Sequence, residues 1–320
     1  MQRVLMGVTF SIVVPVFNEQ SVIDEFSKRV LTVMDSLGEP FEIIFVDDGS
    51  TDATFQKASL WASRAQQVKA LRLSRNFGHQ VAITAGMDAA TGRAVVVMDG
   101  DLQHPPELIP EMARKWAEGF HVVNTTRMET DGIPLKKKLF SKIFYKVINI
   151  DTEVPIYPDA ADFRLMDRAA VEAFRQLREQ DRFVRGLTSW IGFKQTFVPF
   201  NAPERHSGES KYTLRKMIRF AANGITSFTT LPLKAVGTFG LIVAAASFFY
   251  AAFALYQKIV LGITVEGWTS LLVGILFLGG VQLISIGVLG AYIARIFRQV
   301  KNRPLYFVQE RAGRFEGGRQ

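Results

Sequence analysis

The chain has 320 residues and no cysteine, and its 38 Lys and Arg outnumber its 30 Asp and Glu to give a formal net charge of +8. Without cysteine, neither a disulfide framework nor a thiolate metal site is available to it. The basic excess indicates an anionic partner, such as nucleic acid, a phospholipid surface or a phosphorylated substrate. The length favours one core with an appended element.

The N-terminal part of the chain alternates strand and helix patterns. Apolar runs predict strands at 10–16, 41–46, 68–73, 94–98 and 121–124. Stretches with helical spacing separate them, as at 21–37 and 79–90. This alternation predicts an α/β domain built on a doubly wound, largely parallel sheet.

Two carboxylates follow the fourth predicted strand. The β-branched run Val95–Val97 is typical of a strand covered on both faces, and Asp99 and Asp101 come directly after it. Open α/β sheets bind ligands at the carboxyl ends of their strands. Together with the neutral oxygen of Gln103, the two carboxylates suit Mg²⁺ or Mn²⁺ holding a diphosphate. The Asp-x-Asp pattern also occurs in ordinary turns, so alone it indicates a metal only weakly.

Polar groups also end the first two predicted strands. Strand one ends in Pro15-Val16-Phe17-Asn18-Glu19, and strand two ends in Asp47-Asp48-Gly49-Ser50. The Asp47 or Asp48 carboxylate could accept hydrogen bonds from a base or ribose, and Phe17 could pack beside a base. Each motif alone could be a capped turn. Their convergence at one sheet edge favours a ligand crevice.

Two segments outside this alternation are basic and amphipathic. Residues 133–150 place an apolar stripe beside five lysines, and residues 211–230 repeat the pattern directly before a long apolar run. Contact with a membrane surface is one interpretation, and a helix packed on the soluble domain with a solvated basic face is the other. The apolar runs that follow favour the membrane.

Two stretches lack formal charge, residues 235–257 and 267–294. Each is long enough to cross a hydrocarbon core of about 30 Å as a helix. A transmembrane hairpin is therefore favoured over buried soluble helices. Basic residues cluster before the first stretch and after the second, which predicts that both termini and the soluble domain are cytoplasmic, at the inner membrane of a bacterium.

The motifs together resemble glycosyltransferase family 2. The matching segments are VVPVFNE at 13–19, VDDGS at 46–50 and DGDLQHPPE at 99–107. Further segments resemble the polyprenyl-phosphate sugar transferases, and among these the bactoprenol glucosyltransferases: 74–92, 161–168, 182–193 and 208–217. The resemblance covers nearly the whole chain. It implies a nucleotide-diphosphosugar-binding, Rossmann-like GT-A domain with juxtamembrane amphipathic helices and a C-terminal two-helix hairpin.

The resemblance also implies roles for single residues. Asp99, Asp101 and Gln103 would hold the metal that bridges the donor phosphates. The nucleotide sugar would further contact Pro15, Phe17, Glu19, Asp47, Asp48, Arg205 and Lys211. The acceptor phosphate would contact Arg127, Lys137 and Ser141, although neighbouring lysines are interchangeable from sequence. Asp159 is the first choice for the catalytic carboxylate, and Asp162 and Asp101 are the other candidate catalytic residues.

The implied reaction is a single inverting displacement that moves a sugar from a nucleotide to undecaprenyl phosphate. UDP-glucose is the favoured donor, while mannose from a guanine nucleotide and a modified arabinose stay open. A phosphate monoester is already largely anionic at neutral pH, so Asp159 could orient a substrate instead of removing a proton.

The domain boundaries follow from these assignments. Residues 1–205 are predicted to form the catalytic domain, 206–233 a phosphate-binding loop and juxtamembrane helix, 234–297 two transmembrane helices, and 298–320 a basic cytoplasmic tail. Glycines in the second span suggest a homo-oligomer, with a tetramer as one form, although the hairpin itself could use the same face.

Three other classes of protein compete with this interpretation. Processive polysaccharide synthases carry a Gln-x-x-Arg-Trp element and more spans, whereas residues 180–184 read QDRFV. A non-catalytic membrane scaffold would not need Asp99, Asp101 and Asp159 all to be carboxylates. Nucleic-acid binding is disfavoured because the basic residues flank apolar spans and lack interleaved aromatic residues.

Overall fold

The computed structural model describes residues 8–128, 160–201, 229–262 and 267–315. These residues belong to two compact units. The first holds 8–128, 160–201 and 303–315, and the second holds 229–262 and 267–302. The predicted amphipathic helix at 133–150, and all of the one at 211–230 except its last two residues, lie outside the described residues.

The first unit is an α/β domain. Its strands are β1 (Phe10–Val16), β2 (Phe41–Asp47), β3 (Val68–Leu73), β4 (Ala94–Val97), β5 (Val122–Arg127), β6 (Ala160–Asp167), β7 (Gln195–Phe200) and β8 (Val308–Ala312). Its helices are α1 (Ile23–Leu37), α2 (Thr54–Arg64), α3 (His79–Ala89), α4 (Ile109–Ala117), α5 (Arg168–Gln176) and α6 (Val184–Trp190), with a 3₁₀ turn at Pro106–Leu108.

All eight strands form one mixed sheet in the order β7-β5-β6-β4-β1-β2-β3-β8. The strands β4, β1, β2 and β3 are mutually parallel, as predicted. Beyond β4 the sheet changes direction, because β6 pairs antiparallel with both β4 and β5. The five predicted strands are present, and β5 continues to Arg127, past the predicted end at 124.

Helices cover both faces of this sheet. On β1, Ile12 and Val14 join one buried apolar cluster while Val13 joins the other. Alternate residues of a strand point to opposite faces, so a strand buried on both faces reads as a continuous apolar run. Gly86 of α3 permits close packing on β1, since a Cβ there would lie 2.2 Å from the Val13 side chain. The doubly wound architecture is confirmed.

The sequence predicts a basic tail at 298–320, but the structure places part of this segment in the sheet. Residues Val308–Ala312 form β8, which pairs antiparallel with β3 at the sheet edge. Three of its five residues are charged or polar and the segment is largely exposed, so no apolar run marked it as a strand. The α/β unit therefore includes residues from the N-terminal and C-terminal parts of the chain.

The second unit contains two long helices, α7 (Leu231–Val260) and α8 (Trp268–Val300). Both are long and apolar enough to cross a membrane, over Leu231–Ala254 and Val273–Val300, and neither segment is buried by the rest of the protein. Large apolar side chains such as Leu241, Phe248 and Leu283 are about 72 % exposed. An apolar surface of this extent is what lipid or another protein covers.

Candidate active site at the carboxyl edge of the sheet

A cavity of about 340 Å³ opens where β1, β2 and β4 end. It is lined by Pro15, Val16, Phe17, Glu19, Asp48, Asn76, Gly78, His79, Ala82, Asp99, Gly100 and Asp101. The residues come from four separate stretches of chain that the parallel sheet brings to one edge. Six of the residues predicted to bind the donor or metal line it: Pro15, Phe17, Glu19, Asp48, Asp99 and Asp101.

The turns after β1 and β2 are joined by hydrogen bonds. The Asn18 amide donates to the Ser50 hydroxyl at 2.9 Å, and the Thr51 amide donates to the Asn18 side chain at 2.9 Å. Gly49 has a φ of +72°, and a Cβ there would lie 2.5 Å from the Arg75 backbone. The turn at 47–50 is thus packed against its neighbours too closely for any side chain at Gly49.

Asp48 holds the segment that leads into α3 at the cavity. Its carboxylate accepts hydrogen bonds from the Phe77 amide at 2.7 Å and the Gly78 amide at 2.9 Å. Burial raises the pKa of Asp48, and these two hydrogen bonds oppose that rise. Because Gly78 precedes α3, Asp48 fixes the start of the helix that presents His79 to the cavity.

Asp47 has a different environment from Asp48. It is fully buried, accepts a hydrogen bond from the Ser50 amide at 3.1 Å, and lies 3.5 Å from the Arg72 guanidinium. Burial raises the pKa of Asp47, while the Ser50 hydrogen bonds and the Arg72 charge lower it. The structure therefore places Asp48, and not Asp47, among the residues that line the cavity.

Asp99 lies between two histidines. His79 Nε2 is 3.3 Å from Asp99 Oδ1 and 3.9 Å from Asp162 Oδ2. His104 Nδ1 accepts the Asp99 amide at 3.0 Å, while the His104 ring stacks on Phe163 at 5.3 Å. Burial lowers the pKa of His104, consistent with a neutral ring that accepts at Nδ1. Burial also raises the pKa of Asp99, against the opposing effect of His104 and His79.

Asp162 is held as an anion by two arginines. Arg185 donates to it through Nε and Nη2, and Arg164, which is fully buried, donates through Nη2 at 3.0 Å. Burial favours the neutral acid, but the charges and hydrogen bonds of these arginines prevail and lower the pKa of Asp162 to about 2. A carboxylate with so low a pKa is a poor proton acceptor, so this position suits orientation of other groups.

The segment from Gly100 to Gln103 makes a tight turn beside the cavity. A Cβ at Gly100 would lie 2.9 Å from the Val16 side chain, and Leu102 has a φ of +63°. Positive φ at a residue such as leucine is uncommon and is found at functional sites. The Gln103 amide donates to Asp101 at 3.0 Å, and Arg127 donates to the Gln103 side chain at 3.2 Å. The predicted acceptor residue Arg127 therefore contacts Gln103, one of the three predicted metal ligands.

The carboxylates present suit a hard divalent cation. Oδ1 of Asp99 is buried and accepts no hydrogen bond in the described part of the chain, and Asp101 keeps one oxygen beyond its contact with Gln103. Burial raises the pKa of Glu19, and the nearby charges of Asp101, Asp52 and Asp99 raise it further. Within the described ranges, no group of three His, Cys, Asp or Glu could hold a metal alone. Mg²⁺ and Mn²⁺ commonly take one or two carboxylates and complete their shell with substrate phosphates and water.

Several predicted site residues lie outside the described residues, namely Asp159, Arg205, Lys211, Lys137 and Ser141. Conversely, four residues beside the cavity were not predicted as site residues: His79, His104, Arg164 and Arg185. All four lie in segments that carry the family resemblance, but their contacts are made between distant parts of the chain. That resemblance was the only signal in the sequence that pointed to them.

The chain belongs to glycosyltransferase family 2. The model of that family, Glycosyl transferase family 2, matches residues 11–175, a range that includes β1 from its second residue, β2 to β4 and the whole cavity lining. The predicted family and the GT-A type of mixed α/β fold are thereby confirmed. The protein is a glycosyltransferase.

Similar proteins match over nearly the whole chain. An uncharacterized glycosyltransferase of Synechocystis is 46% identical, with 95% of this chain and 96% of the relative covered. The SfII prophage-derived bactoprenol glucosyl transferase of Shigella flexneri is 44% identical, with 94% and 97% covered. Among solved structures, glucosyl-3-phosphoglycerate synthase from Mycobacterium tuberculosis has a TM-score of 0.45 at 19% identity, with 68% of this chain and 78% of that chain covered.

Proposed function

We propose that the protein transfers glucose from UDP-glucose to undecaprenyl phosphate at the cytoplasmic face of a bacterial membrane, with inversion at the anomeric carbon. The observation that carries the proposal is the cavity where β1, β2 and β4 deliver Phe17, Asp48, Asp99 and Asp101 to one edge. The product would be a lipid-linked sugar that supplies cell-envelope or O-antigen glycosylation.

The donor half of the proposal is supported by the cavity wall. Phe17 is 44 % exposed at the cavity and offers an apolar face to a base, while Asp48 keeps lone pairs for ribose or base hydrogen bonds. Asp99 and Asp101, with Gln103, would hold a Mg²⁺ or Mn²⁺ ion that neutralises charge on the departing nucleoside diphosphate. Arg205 and Lys211 are proposed to close over the same phosphates.

The acceptor half is supported by the second unit and by the relatives. Two helices, α7 and α8, are long and apolar enough to span a bilayer. A relative that is 44% identical over 94% of the chain is named for bactoprenol, a polyprenol. Arg127, which contacts Gln103, is proposed to bind the lipid phosphate together with Lys137 and Ser141. This would bring the nucleophilic phosphate oxygen near the donor.

The proposed transfer does not need a strong general base to deprotonate the acceptor phosphate. The acceptor phosphate is largely dianionic near pH 7, because its second pKa is about 6. Asp159 is proposed to orient the acceptor or the sugar. Asp162, held by Arg185 and Arg164, is proposed to fix the wall beside His79 and Asp99. Positioning and charge neutralisation would then supply most of the rate enhancement.

The proposal is tested with the purified full-length protein, undecaprenyl phosphate, Mg²⁺ or Mn²⁺, and a panel of radiolabelled nucleotide sugars. We expect an organic-extractable labelled lipid with UDP-glucose. A labelled lipid formed only with GDP-mannose, or only with an arabinose donor, would change the proposed sugar and keep the proposed reaction class. Folded protein that forms no lipid product with any donor would refute the enzyme and favour a membrane scaffold.

A further inference from the structure

The edge strand β8 is connected to the cavity through one side chain. Arg72 of β3 donates to Glu310 of β8 at 3.0 Å, and the same guanidinium lies 3.5 Å from Asp47. A third nitrogen of Arg72 donates to the Ser50 carbonyl at 3.3 Å. The Arg72 guanidinium thus contacts Glu310 of β8 and also Asp47 and Ser50, the first and last residues of the 47–50 turn.

The 47–50 turn in turn contacts the cavity wall. Asp48 lines the cavity and donates its backbone amide to Val16 at 3.0 Å. The Ser50 hydroxyl accepts the Asn18 amide at 2.9 Å, directly after Phe17 in the chain. A displacement of the turn would therefore move both Asp48 and the Phe17 segment. Neither Arg72 nor Glu310 lines the cavity.

The position of Glu310 is itself well determined. Residue 310 is in register with Arg72, and the Ser74 amide donates to Phe307 at 2.9 Å next to this pair. Tyr306 donates its hydroxyl to Asp88 at 2.9 Å. At the other end, Gly313 passes so close to β3 that a Cβ would lie 2.7 Å from the Val68 carbonyl. The backbone of β8 is therefore fixed on both sides of Glu310, which places this residue opposite Arg72.

The Arg72 charge is needed beside Asp47. Oδ2 of Asp47 is buried and accepts no hydrogen bond from any described residue, so the guanidinium is its compensating group. Arg72 also stacks over the Phe55 ring at 5.5 Å, and its side chain is only 26% exposed. Glu310 accepts from the Nη1 nitrogen and so helps to hold the guanidinium fork in the orientation that reaches the turn.

We propose that Arg72 and Glu310 are positioning residues, through which β8 sets the affinity of the cavity for a nucleoside diphosphate. The inference rests on the proposed function, because it takes this cavity as the donor site. Residues that follow the second long helix in the chain would then control donor binding without touching the donor.

The test compares binding of UDP and GDP, each with Mn²⁺, to full-length protein and its variants by calorimetry. Glu310→Gln should weaken binding of the preferred nucleotide about two- to fivefold, the range for loss of an exposed ion pair. Arg72→Gln should weaken it about tenfold or more, because a hydrogen-bonded charge is lost beside a buried carboxylate. Glu118→Gln is the matched control, since Glu118 pairs with Arg114 and Lys115 on α4.

Kinetics separate positioning from loss of structure. Glu310→Gln should raise the KM for the nucleotide sugar while kcat and the KM for the lipid acceptor stay at wild-type values and the melting temperature falls by no more than about 4 °C. In the Arg72→Gln background, Glu310→Gln should have no further effect, because its contact is already lost.

Three outcomes count against the inference. Wild-type affinity in the Glu310→Gln variant would overturn it and leave the proposed function standing. A full additional loss in the Arg72→Gln background would overturn the route through Arg72. Failure of the wild-type protein to bind either nucleotide would refute the donor site and this inference with it.

Discussion

Arg185 donates two hydrogen bonds to the carboxylate of Asp162, through Nε at 2.9 Å and Nη2 at 3.1 Å. The two residues lie in α6 and β6, and their contact brings α6 beside the cavity. Asp162 Oδ2 is also 3.9 Å from His79, which lines that cavity. The ion pair between Arg185 and Asp162 therefore lies next to His79, a residue of the cavity wall.

We expect Arg185→Gln to reduce turnover about 100-fold, because displacement of reacting groups by about 1 Å has an effect of that order. Its effect on stability should depend on pH. The folded pKa of Asp162 is lowered to about 2, so its stabilising charge is present above the unfolded value of about 3.9 and is lost only as the pH falls toward 2. In the variant the pKa of Asp162 should rise toward its unfolded value, so the acid-dependent loss of stability should be smaller.

Thermal unfolding followed by circular dichroism across the acid range checks this pH dependence. Arg114→Gln, which removes an exposed pair with Glu118, is the control. Identical acid profiles for wild type and Arg185→Gln would show that Arg185 does not set the pKa of Asp162.

Gly49→Ala should destabilise the protein more than Gly38→Ala, although both glycines have a φ of +72°. A left-handed conformation costs a non-glycine residue about 1–2 kcal/mol at either position. At Gly38 an added Cβ meets nothing within 4 Å, whereas at Gly49 it lies 2.5 Å from the Arg75 backbone. The difference in free energy of unfolding between the two variants therefore measures the close packing of the 47–50 turn, and equal values would contradict it.

Asp101→Ala should abolish turnover and weaken Mn²⁺ binding while the fold is retained, because Asp101 is exposed at the cavity. Mn²⁺ binding is measured by electron paramagnetic resonance in the presence of UDP. Asp35→Asn, at an exposed position of α1, should behave as wild type. Retained turnover in the Asp101→Ala variant would remove this residue from the proposed metal site.

The membrane orientation is testable because the chain has no cysteine, so a single introduced thiol is unique. A membrane-impermeant maleimide added to intact cells should label a Thr264→Cys variant, between the two long helices. It should label a Ser63→Cys variant only after lysis. Ser63 is exposed on α2 of the catalytic unit. The opposite pattern would reverse the orientation that the basic flanking residues predict.

The central strands could be predicted because their signal is local. Each of β1 to β4 is a largely buried segment rich in apolar residues, and the carboxyl ends of β1, β2 and β4 carry the motifs. The strands β6, β7 and β8 depend on pairing between distant segments, and β8 reads VQERA, which has no strand periodicity. Local patterning therefore describes the parallel half of the sheet better than the rest.

The candidate site likewise contains residues that the sequence could predict and residues that it could not. The carboxylates at strand ends were predictable because a parallel sheet gathers such ends, but sequence left Asp47 and Asp48 as alternatives. Neighbouring residues at the end of a strand point to opposite sides, so only one of them could face the cavity. The contacts of His79 and Arg185 with Asp162 join separate elements, and no spacing in the chain encodes them.

The place of β8 in the chain has a consequence for biosynthesis. Because β8 follows α8, the ribosome completes both long helices before it makes the strand that pairs with β3. Until then the outer edge of β3 is an open template for pairing with other chains. Completion of the sheet at its β3 side is thereby ordered after synthesis of the two long helices, so a truncated nascent chain would carry an incomplete sheet.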